Sequence, residues 1–210
     1  LGSLDQELWR AEAFLQNHQI KFQPGLNEEI AATSVWGSQQ TSFFPAPRFE
    51  GVFGMWYGKA PGFDRAGDAI QHANAAGSSR LGGVLAVVGD DHGAKSATFP
   101  SHSDFAMKDA FLPILAPSNI EEIIKFGLVG WQMSRNSGLW VGLKCLPALL
   151  DCSATINCAL GGIQIAPEPV NLPESGLSIR WPDNVLSQEE RLFRFKLDRA
   201  IEVARANHVN

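Results

Sequence analysis

Three stretches of this chain carry more polar and glycine content than a scaffold needs: residues 24–40, 56–68 and 89–104. Within them, Glu28 and Glu29 form an acidic pair, and Gly89-Asp90-Asp91-His92 sets two carboxylates beside an imidazole. Lys59, Arg65 and Arg80 lie in or near the glycine-rich segments. A carboxyl group kept from water suits proton exchange, because burial raises its pKa toward neutrality. Acidic residues in a first helical turn are also favoured by the helix dipole alone. Each basic residue could hold a substrate carboxylate or a diphosphate oxygen, or could simply be a solvated charge. Aspartates after a strand could ligate Mg²⁺ together with a phosphate, although Asp is equally common in turns and caps. His92 and His102 lack a third ligand at fitting spacing, so no metal site is read from them. Neither GxGxxG, a P-loop nor G-x-S-x-G occurs.

The elements that must position these residues follow from apolar patterning. Residues 52–56, 83–88, 112–115 and 139–143 read as strands, with 20–23 a further short one. A helix is expected over 4–17, capped by Ser3 with Gln6 as its capping-box partner. Asn27 caps a second helix over 28–36, rich in small residues and expected to be buried, which Gly37 interrupts or ends. Helices over 68–76, closed by Gly77, and over 104–110 follow. The next, 120–133, has interior Gly127 and Gly130 that mark either a close helix–sheet contact or a boundary. Residues 57–68 and 89–104 read as loops. Alternating apolar strand, polar loop and helix is the pattern of an α/β fold with a mostly parallel sheet. In such sheets the loops leaving strand C-termini form the binding crevice. Residues 1–150 form the expected domain, 151–186 an extended connector, and 187–210 a helix capped by Ser187 with Glu190.

Bulk properties narrow the classes. With 210 residues and an apolar fraction of 45%, the chain can close one sizeable core. A formal charge of −5 gives no support for nucleic-acid binding. No run approaches the roughly 18 apolar residues of a spanning helix, and no targeting segment is visible, so a cytoplasmic location without membrane contact is expected. Cys145, Cys152 and Cys158 fit neither a CxxC metal site nor an iron–sulfur run and read as scattered buried thiols. A start at Leu-Gly-Ser-Leu-Asp reads as an internal fragment.

PGLNEEIAATSVWGSQQ, the long run from GVFGMWYGKAPG to GDDHGAKSATFPSHSDFA, and SGLWVGLKC together resemble the fused indolepyruvate:ferredoxin oxidoreductases. The likeness covers most of residues 1–145, with a looser one over 187–207. It implies the pyrimidine-binding domain of a thiamine-diphosphate-dependent 2-oxoacid oxidoreductase, lacking the family's first strand. Glu28 would be the activating glutamate, bonded to ring nitrogen N1′ so that the imino tautomer can take the thiazolium C2 proton. Arg80 would face substrate. Gly89 and Asp90 would lie in the cofactor loop, with His92 toward substrate. Mg²⁺ and iron–sulfur clusters would belong to other parts of the same polypeptide. The resemblance further implies a homo-oligomer, ferredoxin as acceptor and an aryl 2-oxo acid such as indolepyruvate as substrate. Trp56, Tyr57, Phe63 and Phe99 are available either to line an aromatic pocket or to pack the loops.

Two alternatives stand beside this reading: another thiamine-diphosphate enzyme acting on 2-oxo acids, and a non-catalytic α/β interaction module. A buried carboxyl at Glu28 favours an enzyme, and an exposed or ion-paired one favours the module. The chain alone is expected to have no turnover.

Overall fold

The longest apolar runs become the centre of the sheet. In a computed structural model, which describes residues 1–157 and 172–209, the chain opens with α1 (Leu4–Arg10) and α2 (Glu12–Asn17). Next come α3 (Glu28–Ser38), a 3₁₀ turn (Thr41–Phe43), β1 (Phe53–Lys59), α4 (Ala60–Arg65), α5 (Gly67–Ala76) and β2 (Gly83–Gly89). Then follow α6 (Asp104–Asp109), β3 (Ile114–Leu115), α7 (Ile120–Ser137), β4 (Trp140–Cys145) and α8 (Pro147–Leu150). The C-terminal helix runs without a break through α9 (Val185–Arg191), a π-helical turn (Leu192–Lys196) and α10 (Leu197–Ala206).

Among the described residues the four strands form one all-parallel sheet in the order β1-β2-β4-β3. Helices cover both faces. On one, Trp56, Val84, Ala86, Val88 and Trp140 pack against the apolar residues of α3 to α6. On the other, Leu85, Val87, Val141 and Leu143 pack against α7 and α10. The expected α/β architecture is therefore present, with β2 buried along its whole length. Gly130 settles the question left by the glycines of α7: a Cβ there would lie 2.6 Å from Leu85 Cδ1, so the residue lets helix and sheet meet closely. Among the described residues no helix is long and apolar enough to cross a membrane.

Several expectations are corrected. The helix over 4–17 breaks at Ala11, and Ser3 makes no side-chain cap. Residues 20–23 form no strand. The supposed loop at 57–68 contains the end of β1 and all of α4. Pro61 is tolerated there because the first helical turn needs no N–H partner, and Ala60 and Phe63 are buried. Gly37 does not stop α3, of which only Ala32 is buried. The last helix begins earlier than expected, with the Asn184 side chain accepting from Ser187 N–H, so Ser187 is not its cap. Cys145 is buried, but Cys152 is exposed. Cys158 and much of the expected connector lie outside the described residues. By contrast, Asn27 caps α3 and Gly77 ends α5 with φ near +104°.

Lys196 ties the C-terminal helix to the end of α5. Its side chain is 0% exposed and donates to the Ala75 carbonyl at 3.0 Å. Burial, with Arg191 and Arg180 nearby, pulls its pKa from 10.5 down to about 7. Arg191 is itself paired with Asp183. Below about pH 7 both folded and unfolded chains carry the proton. Above it the folded chain sheds a proton that the unfolded chain keeps, so stability rises with pH. The Cys145 thiol, pushed up to about 11 by burial, opposes this only above pH 9 or so. Urea unfolding from pH 6 to 9 should show this rise. In Lys196→Met it should flatten, with about 3 kcal/mol more stability at pH 6. Parallel pH profiles for the two proteins would contradict the assignment.

Candidate functional site

The C-terminal edge of the sheet gathers most of the chemically able side chains. Helix α3 runs antiparallel to β1: Val35 packs over Gly54, while Gln39 at the far end reaches the Val52 carbonyl at 3.0 Å. Its N-terminus is thereby brought to the C-terminal end of β1. There the Glu28 carbonyl accepts from Trp56 Nε1 at 3.0 Å. The Glu28 side chain lies where a Cβ on Gly62 would stand, 2.6 Å from its Cγ. Its side chain is 41% exposed, and the carboxylate sits 3.9 Å from Arg65 Nε. The expectation of a buried acid is not met in this chain, and Glu29 is exposed.

The loop after β2 is held mainly by Asp91. Its carboxylate accepts from the backbone N–H groups of Lys95 (2.8 Å), Ser96 (2.9 Å) and Ala97 (2.9 Å). These donors favour the charged form and hold the carboxyl below the usual aspartate range. Backbone bonds between Asp91 and Ser101 fold the loop back on itself. Lys59, at the end of β1, donates to the carbonyl and hydroxyl of Ser96 at 2.8 and 2.9 Å. Lys59 is thus a loop anchor.

Asp90 takes a different part. Its side chain has no exposure, and Oδ1 accepts from Ser103 Oγ at 2.7 Å. Oδ2 has no hydrogen bond, with His92 Nε2 at 3.4 Å and Lys144 Nζ at 3.5 Å. Lys144 donates to both Asp104 oxygens, at 2.8 and 2.7 Å. Desolvation pulls its ammonium down, but Asp104 and then Asp90 more than offset this and raise its pKa. The bonds from Lys144 in turn hold Asp104 below its ordinary range. The His92 ring is 6.2 Å, centroid to centroid, from His102, which stacks edge-on to Phe105.

Donor atoms of Asp90, His92 and Asp104 lie within 4.8 Å of one another, close enough to share a cation. Lys144 already places its ammonium against both carboxylates, so the group is read as a charge-paired cluster. Gly89 is buried and ends β2 beside it; a Cβ there would meet Leu1 at 3.2 Å.

Arg80 is not brought to this edge. It is exposed in the turn before β2, and the strand that separates it from Asp90 spans roughly 20 Å. Nearby Gln39 is wholly buried and accepts from Ser79 N–H at 3.0 Å, so it ties elements together at that opposite end. Trp56 and Phe63 are core residues, whereas Phe99 is exposed. The buried Cys145 thiol, with its raised pKa, is a poor nucleophile. Sequence reasoning missed Lys144, Ser103 and Asp104. Only the lysine in the otherwise apolar run WVGLKC hinted at a partner.

An apolar groove of about 980 Å³ lies beside β3, lined by Phe111, Ile114, Leu115, Phe126 and Ile201, with Asp104 at its margin. It contains none of the residues singled out from sequence.

No family model, no curated protein and no solved structure matches this chain.

The Asp91 bonds predict a specific loss. In Asp91→Asn, the amides of Lys95, Ser96 and Ala97 should exchange with deuterium faster at pH 7, while those of β2 are unchanged. Lowering the pH of the native chain through the depressed Asp91 pKa should loosen the same loop, since the stability this group contributes is present above the ordinary aspartate pKa and lost below its folded one. Unaltered exchange in the variant would show that the carboxylate does not hold the loop.

Proposed function

We propose that this chain forms the pyrimidine-side wall of a thiamine-diphosphate site in a cytoplasmic 2-oxoacid oxidoreductase, in which other domains bind the diphosphate with Mg²⁺ and carry iron–sulfur clusters toward ferredoxin. The observation that most supports this is the location of Glu28. It starts a capped helix at the C-terminal edge of an all-parallel sheet, the edge where such sheets bind their ligands. The resemblance of residues 24–40 and 51–106 to the indolepyruvate:ferredoxin oxidoreductases supplies the chemistry.

The residues fit the group. Glu28 is fixed through its carbonyl to Trp56, so its backbone is rigid while its carboxyl remains reachable. Gly62 has no side chain to occupy the carboxyl's place. Thiamine diphosphate, when bound, supplies an electron sink for the carbanion left as a 2-oxo acid loses carbon dioxide. Glu28 would hold a proton against ring nitrogen N1′, which requires the carboxyl to lose its contact with Arg65. Arg65 is itself exposed and free to turn away. A covering domain would then exclude water and favour the protonated acid. The held loop carries Gly89, Asp90 and His92 on the same rim. Arg80 takes no part in this version of the site. Indolepyruvate or another aryl 2-oxo acid remains the proposed substrate class.

A second reading has one observation in its favour. A Glu28 side chain that is 41% exposed, with its carboxylate near Arg65, stands on the side of a non-catalytic interaction module. The enzyme reading therefore depends on another domain closing over the rim. In the polypeptide carrying those domains, Glu28→Gln should abolish exchange of the thiazolium C2 proton and leave the melting temperature within about 2 °C. Normal exchange in that variant would rule out the assigned role. Absence of exchange in the unsubstituted protein would favour the module.

A further inference from the structure

We propose that Asp90 and His92 form a proton-transfer dyad, in which the buried carboxylate fixes the imidazole as its Nε2–H tautomer and leaves Nδ1 as a base facing the rim. Oδ2 of Asp90 is fully buried without a hydrogen bond, a state that buried carboxylate oxygens rarely keep. Two donors lie in reach, His92 Nε2 at 3.4 Å and Lys144 Nζ at 3.5 Å. Lys144 spends two of its three N–H donors on Asp104, at 2.7 and 2.8 Å, and turns the third toward Oδ2 at the longer distance. Ser103 serves the other oxygen of Asp90. The imidazole, at 3.4 Å, is the nearer of the two donors and shares Oδ2 with the ammonium. His92 is 51% exposed, so a small turn of a free side chain closes the gap. Catalytic hydrogen bonds are often long before a ligand is bound.

A carboxylate behind a histidine selects the tautomer and aims the ring. The His92 ring lies 6.2 Å from the His102 ring, which in turn meets Phe105 edge-on. Asp90, Asp104 and Lys144 together carry one negative charge, which balances the positive charge the ring gains on taking a proton. In the step, Nδ1 accepts the proton and the ligand atom keeps the bonding electron pair. The imidazolium then carries hydrogen on both nitrogens, and loss of the Nδ1 proton to water restores it. The ligand class is a small molecule presenting an acidic O–H or N–H proton at this rim. The dyad does not rest on the thiamine reading, because it involves neither Glu28 nor any cofactor.

Long-range ¹H–¹⁵N spectra of the labelled 210-residue chain at pH 8 test it, with His92 signals assigned by their loss in His92→Gln. The expected result is an unprotonated Nδ1 and an observable Nε2 proton protected from solvent exchange. That proton signal should vanish in Asp90→Asn, whose amide can donate to Nε2 and reverse the tautomer. It should persist in Lys144→Met. A His92 ring protonated at Nδ1, or without a protected Nε2 proton, would overturn the proposal even if Asp90→Asn fails to fold. So would a signal that survives in a folded Asp90→Asn.

Discussion

Burial of β2 on both faces is the constraint from which the rest of the structure follows. All seven of its residues are buried between the α3–α6 layer and the α7/α10 layer. A parallel strand in that position has no place for a polar side chain until it ends. Asp90 and Asp91 are the first positions after it, and both remain almost inaccessible. Each must find donors within the protein, because a buried charge without partners is costly. Asp91 finds three backbone amides of its own loop, whereas Asp90 finds a serine, a lysine and the edge of a histidine. One aspartate therefore fastens the loop, and the other is shared among polar and charged side chains at its base.

The opposite edge is closed by a different kind of polar group. Gln39 bonds to Val52 and Ser79, and Asn74 bridges the Ala110 carbonyl and the Trp140 N–H. These neutral side chains complete backbone bonds where strands begin. Close contacts at Gly54, Gly130 and Gly142 seat the helices on the sheet. The two edges are thus chemically unlike: one is tied together by neutral amides, and the other presents Glu28, His92 and a loop fastened by Asp91.

Much of this fold was legible in the sequence because its signals are local. The apolar runs GGVLAV and LWVGL mark central strands, Asn27 and Gly77 mark helix ends, and the glycines of α7 mark a close contact. Helix α4 was not legible. Its proline and glycine suggest a loop, yet Pro61 sits where no N–H is needed and Gly62 makes room for Glu28. At the site, Glu28, Asp90 and His92 stood out from their own neighbours. Lys144 and Ser103 did not, since their partners lie 40 and 13 residues away and only folding brings them together. Arg80 lies apart from the others for a simple geometric reason: a residue preceding a strand ends up at the edge opposite the one that follows it.

The central claim is that ligand meets the C-terminal rim beside Glu28. Backbone amide shift mapping with thiamine diphosphate and Mg²⁺, on the polypeptide that also carries the diphosphate-binding domain and is ¹⁵N-labelled in this segment, tests it most directly. The account predicts concentration-dependent shifts confined to residues near 28, 62 and 89–97. Shifts centred on Gln39 and Arg80, or none at millimolar ligand, would contradict it.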